Sequence, residues 1–171
     1  MSNRGYHYEQ AFEDYLQRRR ISYVPISQVR KAQFADVKIK SFDYIIYPNH
    51  KTPILADLKG RKFSCRAFQQ NRSGPSWLPR EDVEDLKKWE EIFGAGHLAM
   101  FVFAYWLHDC LHRLDHPQIH CHEQRHYAFV AAELEPYLLH MKRRSPSWKT
   151  VYVPSKRFAV FARPFGSFIR R

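Results

Sequence analysis

The stretch that decides the fold covers residues 41–59 and reads Ser41-Phe42-Asp43-Tyr44-Ile45-Ile46-Tyr47, Pro48-Asn49-His50-Lys51-Thr52-Pro53, Ile54-Leu55-Ala56-Asp57-Leu58-Lys59. Two runs of β-branched and aromatic residues flank a turn that is rich in proline and polar residues. That pattern predicts a β-hairpin. The candidate functional residues of the chain lie on this hairpin.

Two acids and a lysine occupy matching positions on the two strands. With the turn centred on His50, Asp43 lies across from Asp57, and opposed Cβ atoms in an antiparallel pair are about 5 Å apart. Side chains alternate along a strand, so Asp57 and Lys59 project from one face. Opposed carboxylates favour a bound Mg²⁺ or Mn²⁺ ion, and a neighbouring lysine suits phosphodiester hydrolysis. The alternative is a surface hairpin with exposed ion pairs, each contributing about 0–1 kcal/mol.

The chain begins with a predicted amphipathic helix over residues 5–16. Its apolar residues recur at helical spacing, at Tyr8, Phe12, Tyr15 and Leu16. Glu9 and Glu13 lie one turn apart on a neighbouring stripe. Either carboxylate is a candidate third ligand for a metal held by the hairpin.

This order of residues resembles the PD-(D/E)xK nuclease superfamily, which has the restriction-endonuclease-like fold. The order is a helix with a Glu, then an acid on one strand, then acid-x-Lys on the next strand. The opening Gly5-x-x-x-Glu9 is similar to that of small Holliday-junction-resolvase-like nucleases. By this resemblance Glu9 is the helix carboxylate, Asp43 and Asp57 are the central acids, and Lys59 is the catalytic lysine.

The resemblance also implies a mechanism and an assembly. Asp43, Asp57 and Glu9, with Glu13 as second choice for the helix carboxylate, bind Mg²⁺ or Mn²⁺, and the Leu58 backbone carbonyl adds an oxygen. Cleavage leaves a 5′-phosphate, and junction-cutting relatives act as homodimers. The chain departs from the pattern at two positions, with Phe42 where proline is common and Asp57 where glutamate is commoner.

The rest of the chain predicts an α/β fold with an αβββαβ core, in which helices flank a central mixed sheet. C-terminal strand-helix-strand additions follow the core. Besides the hairpin and first helix, we expect strands at 21–26, 98–106, 126–132 and 149–154, helices at 79–94 and 136–144, and a loop at 60–79. Glu81, Asp82, Glu84 and Asp85 suit the positive end of the second helix and are interpreted as helix chemistry rather than catalysis.

Composition indicates one folded domain over residues 1–171, since 44% of residues are hydrophobic. The net charge is +11, and the basic segment 142–171 holds nine basic residues and no acid. Such a segment favours contact with nucleic acid over an ordinary solubilising surface. The candidate nucleic-acid-binding residues are Arg61, Lys62, Arg143, Arg144, Lys149, Lys156 and Arg157.

Targeting and redox features point to a cytoplasmic protein. The longest mainly apolar run is shorter than the roughly 20 residues of a membrane helix, and the N-terminus lacks the apolar core of a signal peptide. Cys65, Cys110 and Cys121 are odd in number and form no CxxC motif. That pattern favours reduced thiols over a secreted disulfide framework.

A histidine-rich excursion at 108–126 supplies a rival hypothesis. Cys110, His112, Cys121 and His122 can be drawn as a structural zinc site, although their spacing matches no regular zinc motif. The alternative is a polar segment between two strands.

We therefore expect a metal-dependent nuclease that acts on nucleic acid, with DNA as the expected substrate. Alanine at Asp57 or Lys59 is expected to abolish cleavage and leave the fold intact. The alternative is a catalytically inactive nucleic-acid-binding or accessory module on the same fold. The sequence leaves open DNA versus RNA, and branched versus linear substrates.

Overall fold

The computed structural model describes residues 5–26, 33–34, 37–111 and 115–170. The helices in this part of the chain are α1 (Tyr6–Arg18), α2 (Cys65–Gln69), α3 (Arg80–Phe93), α4 (Leu134–His140), α5 (Ser155–Phe161) and α6 (Gly166–Ile169). The strands are β1 (Ser22–Pro25), β2 (Gln33–Phe34), β3 (Val37–Lys38), β4 (Tyr44–Tyr47), β5 (Ile54–Phe63), β6 (Leu78–Pro79), β7 (Leu98–Leu107), β8 (Ile119–His122), β9 (Arg125–Glu133), β10 (Lys142–Ser145), β11 (Thr150–Tyr152) and β12 (Arg163–Pro164).

A seven-stranded mixed sheet forms the centre, in the order β1-β4-β5-β7-β9-β12, with β8 paired to β9. Strands β5 and β7 run parallel, and α3 lies between them in the chain. The other pairs in this sheet are antiparallel. Strands β10, β11 and β6 form a separate three-stranded sheet. The predicted αβββαβ core is confirmed as α1-β1-β4-β5-α3-β7, and its central mixed sheet is flanked by helices.

The predicted hairpin is present as β4 and β5, whose register pairs Tyr44 with Ala56 and Ile46 with Ile54. The paired residues end at Tyr44 and Ala56, so the predicted Asp43–Asp57 pair lies beyond this ladder. The Asp43 N–H donates instead to the Ala56 carbonyl. Strand β5 pairs with β7 over its whole length, and its first three residues, Ile54–Ala56, also pair with β4.

Residues of β5 alternate between two apolar layers, as a strand covered on both faces requires. Leu55 packs in the layer that contains α3, α4 and α5, whereas Ile54 and Ala56 pack in the layer that contains α1. Asp57 and Lys59 follow Leu55 at period two. They therefore share one face, as their spacing predicted, and this face is the one that α3 covers.

The predicted loop at 60–79 is wrong over much of its length. Strand β5 continues to Phe63, and the short helix α2 follows. Ser64 starts this helix, because its Oγ accepts a hydrogen bond from the Ala67 N–H at 3.3 Å. The Asp109 carboxylate accepts another from the Cys65 N–H.

The predicted helix at 136–144 ends earlier, at His140. Met141 has extended backbone angles, and Lys142 and Arg143 pair with β11 instead. In α3, Val83, Leu86 and Trp89 are buried in the core, whereas Ile92 is 45% exposed. Strands β8 and β12 and helices α5 and α6 were not foreseen as separate elements.

Cys65 and Cys110 form a disulfide with their Cα atoms 5.4 Å apart. The expectation of reduced thiols is wrong for this pair, whereas Cys121 is a free cysteine. The pairing joins the start of α2 to the chain just beyond β7. A cytoplasmic location stays a prediction, and disulfides are uncommon in that compartment.

Among the described residues, no helix has the length and apolar character needed to cross a membrane.

Candidate active site

Asp57 and Lys59 form the centre of the site on β5. The Lys59 Nζ donates to the Asp57 Oδ1 at 2.9 Å. Asp57 is 7% exposed and the Lys59 side chain 13%. Both groups are therefore held in a largely desolvated environment, where charge interactions are stronger than in water.

Asp82, on the first turns of α3, completes this group. Its side chain is 2% exposed and accepts from Lys59 Nζ through Oδ2 and from Lys40 Nζ through Oδ1 at 2.7 Å. Asp82 does lie in the first turn of α3, as predicted, but its carboxylate also pairs with Lys59 on the sheet, which the sequence analysis did not foresee. A signal was present in the sequence, since Asp82 precedes the buried Leu86 and Trp89 by four and seven residues, on one helical stripe.

Asp85 lies one turn after Asp82 in α3 and holds the neighbouring Lys40 segment in place. Its carboxylate accepts from the Lys40 backbone N–H at 3.1 Å and from Lys88 Nζ at 3.1 Å. The Trp89 indole N–H donates to the Lys40 carbonyl at 2.9 Å. These bonds fix the segment that carries Lys40 against α3.

Asp43 is fixed at the open end of the hairpin. Its N–H donates to the Ala56 carbonyl at 3.1 Å, and its Oδ2 accepts from the Leu58 N–H at 2.7 Å. The Asp43 carboxylate therefore lies against the backbone that joins Asp57 to Lys59. The structure brings these three predicted residues together.

The two candidate glutamates of α1 differ in their surroundings. Burial, together with the charges of Asp43 and Glu13, raises the pKa of Glu9. Glu13 instead accepts hydrogen bonds from the Tyr44 hydroxyl at 3.1 Å and the Tyr23 hydroxyl at 3.4 Å. Of the two, Glu9 is the better candidate to share a ligand with Asp43.

The charges in the site are unevenly distributed. Burial raises the pKa of Asp57 to about 8, since the charges of Asp43 and Asp82 add to burial and outweigh Lys59. Burial also raises the pKa of Asp82, but Lys59 and Lys40 outweigh it and hold the net pKa below its usual value. Burial lowers the pKa of Lys59, yet the nearby carboxylates raise it above its usual value overall. Of the two carboxyl groups that Lys59 contacts, Asp82 is therefore the more readily ionised.

The donor set suits a hard divalent cation, since carboxylate and carbonyl oxygens are the ligands that Mg²⁺ and Mn²⁺ prefer. Asp43, Asp57 and the Leu58 carbonyl are the candidate ligands. Within the described ranges, however, no three His, Cys, Asp or Glu side chains converge as a ready-made metal site. Glu9 as a third ligand stays a prediction.

Cys110 is not available as a ligand of the zinc site proposed for residues 108–126, because its sulfur is bonded to Cys65. His112 lies outside the described residues. His120 Nε2 lies 2.7 Å from Asp14 Oδ2, and His122 Nδ1 lies 3.5 Å from the same oxygen. These two histidines join β8 to α1.

The candidate nucleic-acid-binding residues fall into two groups. Arg61 is engaged internally, since its guanidinium donates to the Gly60 and Trp77 carbonyls at 2.8 and 2.7 Å and lies over the Trp77 ring. The others are exposed, namely Lys62, Arg143, Arg144, Lys149, Lys156 and Arg157. Arg143 lines both of two clefts beside β10, of about 810 and 620 Å³.

The comparison with solved structures finds the Hjc Holliday junction resolvase of the archaeal hyperthermophile Archaeoglobus fulgidus, at 12% sequence identity and a TM-score of 0.57. The match covers 97% of this chain and 100% of that one. No family model matches the sequence, and no curated protein matches it. The similarity is one of fold, and it agrees with the restriction-endonuclease-like architecture predicted from the sequence.

Proposed function

We propose that the protein is a metal-dependent nuclease that hydrolyses phosphodiester bonds, with DNA as its substrate. The observation that carries the proposal is the buried contact of Asp57 with Lys59, beside an Asp43 carboxylate that is bonded to the intervening backbone. Burying an acid and a lysine in one place is costly for stability alone. Chemistry at the site explains their retention.

Each residue of the candidate site has a distinct role in this proposal. Asp43 and Asp57 present oxygen ligands, with Glu9 as the third. Lys59 orients the attacking water or stabilises charge on a phosphoryl oxygen. Asp82 is a positioning residue that holds the Lys59 ammonium group. A divalent cation bound by the acids supplies Lewis acidity and lowers the pKa of its water.

Nucleic acid as the substrate is supported by the net charge of +11 and by the exposed basic residues around β10 and the start of α5. The fold neighbour is named for Holliday junctions. Branched DNA is therefore the first substrate to test, and a homodimer the first assembly.

The test is a cleavage panel of linear, nicked, flapped, single-stranded and four-way DNA and RNA, with Mg²⁺ or EDTA. We expect Mg²⁺-dependent cleavage of at least one substrate by wild-type protein and by the exposed-turn control Lys51→Met. Asp57→Asn should lower the rate by at least about 100-fold, as loss of one preorganised electrostatic group does. Equal activity of Asp57→Asn and wild type would refute the assignment.

A second candidate is a non-catalytic nucleic-acid-binding module. The exposed basic residues Lys62, Arg143 and Arg144 are the observation that supports it, since they can contact phosphates without a metal. Binding of the same substrates without Mg²⁺-stimulated cleavage of any of them would establish this alternative.

A further inference from the structure

The β10–β11 turn carries an unusually exposed aromatic residue. Trp148 is 74% exposed, and the next residue, Lys149, has a left-handed backbone with φ of 48°. A non-glycine residue in that conformation is uncommon and needs support from its surroundings. The Lys149 carbonyl accepts from the Arg80 N–H at 2.9 Å, which joins the turn to the first residue of α3.

The cleft of about 810 Å³ beside Trp148 has a mixed lining. Met141 and Trp148 offer apolar surface, whereas Glu81 and Glu84 also line it. The Arg80 guanidinium lies 2.9 Å from the Glu84 carboxylate, so that one acid is already paired. Carboxylates in the lining disfavour phosphate beside them, whereas a nucleobase has a flat apolar face and amino groups that donate to carboxylates.

Positive charges belong to the same lining. Lys142, Arg143 and Lys149 also line the cleft, and all three side chains are exposed. Exposed ammonium and guanidinium groups suit the phosphates on either side of a bound base. The charge pattern therefore fits one segment of a nucleic acid strand better than an apolar partner.

Helix α3 connects the cleft to the candidate active site. Glu81 and Glu84 line the cleft, whereas Asp82 binds Lys59 on the side that faces the sheet. The cleft and the Lys59 site are therefore joined by the first turns of one helix, and one nucleic acid strand is a candidate to contact both.

We propose that the Trp148 cleft binds an unpaired base of the nucleic acid strand that the site cleaves. This inference rests on the proposed function and narrows its substrates to those with unpaired bases near the cut, such as flaps, gapped duplexes and single strands. A base inside a duplex is stacked on its neighbours and presents no free face to the indole ring.

The test measures binding in EDTA, so that it does not depend on cleavage. The probes are a single-stranded DNA 15-mer, the same 15-mer with abasic sites at its centre, and the fully paired duplex. The proteins are wild type, Trp148→Ala, Trp148→Leu and Trp148→Phe. Gel filtration and thermal unfolding of each variant show whether its assembly and fold are retained.

We expect Trp148→Ala and Trp148→Leu to weaken binding of the intact single strand by about 5- to 100-fold, the range of one lost stacking contact. Trp148→Phe should stay within about threefold of wild type, and duplex binding should change by less than about twofold. The abasic strand should bind wild type and Trp148→Ala equally.

Equal losses on single strand and duplex, or no loss on either, would overturn the inference. So would a change in oligomeric state as the sole effect of Trp148→Ala. Base-dependent binding through Trp148 without cleavage of any substrate would keep this inference and refute the nuclease. If cleavage occurs but neither binding nor cleavage changes in Trp148→Ala, the nuclease proposal is kept and this inference is refuted.

Discussion

Replacing Lys59 with methionine removes the ammonium group that Asp57 and Asp82 share while keeping most of the side-chain volume. Removing one partner of a buried ion pair costs about 3–5 kcal/mol, because the other charge is left uncompensated. Asp82 is 2% exposed but keeps Lys40 at 2.7 Å. We therefore expect the lower end of that range, about 3 kcal/mol, at pH 6 in metal-free protein.

The loss should grow with pH. Burial raises the pKa of Asp57 to about 8, so at pH 6 this carboxyl is protonated and depends little on Lys59. At pH 9 it ionises in the wild type with Lys59 beside it, whereas in the variant it has no cation. A loss of about 5 kcal/mol is expected there.

Urea unfolding in EDTA at pH 6, 7.5 and 9, monitored by circular dichroism, measures the stability loss in Lys59→Met and its change with pH. Lys51→Met is the matched control, since Lys51 is exposed in the hairpin turn and its replacement should change stability by less than about 0.5 kcal/mol. A loss below about 1 kcal/mol for Lys59→Met at every pH, or one that shrinks as pH rises, would refute the buried charge network.

Three further predictions concern neighbouring groups. Metal-free wild type should lose stability as pH rises from about 4 to 8, because the raised pKa of Asp57 makes the folded state hold a proton that the unfolded chain releases; Asp57→Asn should flatten this slope in urea titrations. Asp82→Asn should lower kcat by about tenfold or more with little change in KM and shift the pH–rate profile, because Lys59 loses its positioning partner; an unchanged profile would contradict that role. Burial lowers the pKa of His120 despite its contact with Asp14, so the contribution of His120 to stability falls as pH drops below about 6.5 and opposes that of Asp57; His120→Gln should therefore gain stability relative to wild type between pH 7 and pH 5 in thermal unfolding.

Local patterns in the sequence were enough to predict the hairpin, α1, α3 and β7, because each has a clear period and clear end signals. The placement of Asp57 and Lys59 on one face followed from strand geometry. Their burial did not, since it depends on α3 covering that face of β5. The expectation that substitutions there leave the fold intact is therefore replaced by the stability losses given above.

Long-range pairing explains the other differences. Asp82 was assigned to the helix dipole because nothing nearby in the chain points to Lys59, which is 23 residues away. The Cys65–Cys110 pairing spans 45 residues. Arg61 was taken as a phosphate contact, but its guanidinium binds the Trp77 carbonyl. In each case the partner is set by packing between distant segments rather than by local propensity.

The most direct test of the account is the position of Mn²⁺ in anomalous difference maps from crystals grown with that ion. We expect a peak within about 2–2.5 Å of carboxylate oxygens from both Asp43 and Asp57, distances typical of oxygen-bound divalent ions, and its loss in Asp57→Asn crystals. A Mn²⁺ peak elsewhere in an active protein, or no peak between these two acids at saturating Mn²⁺, would contradict the account.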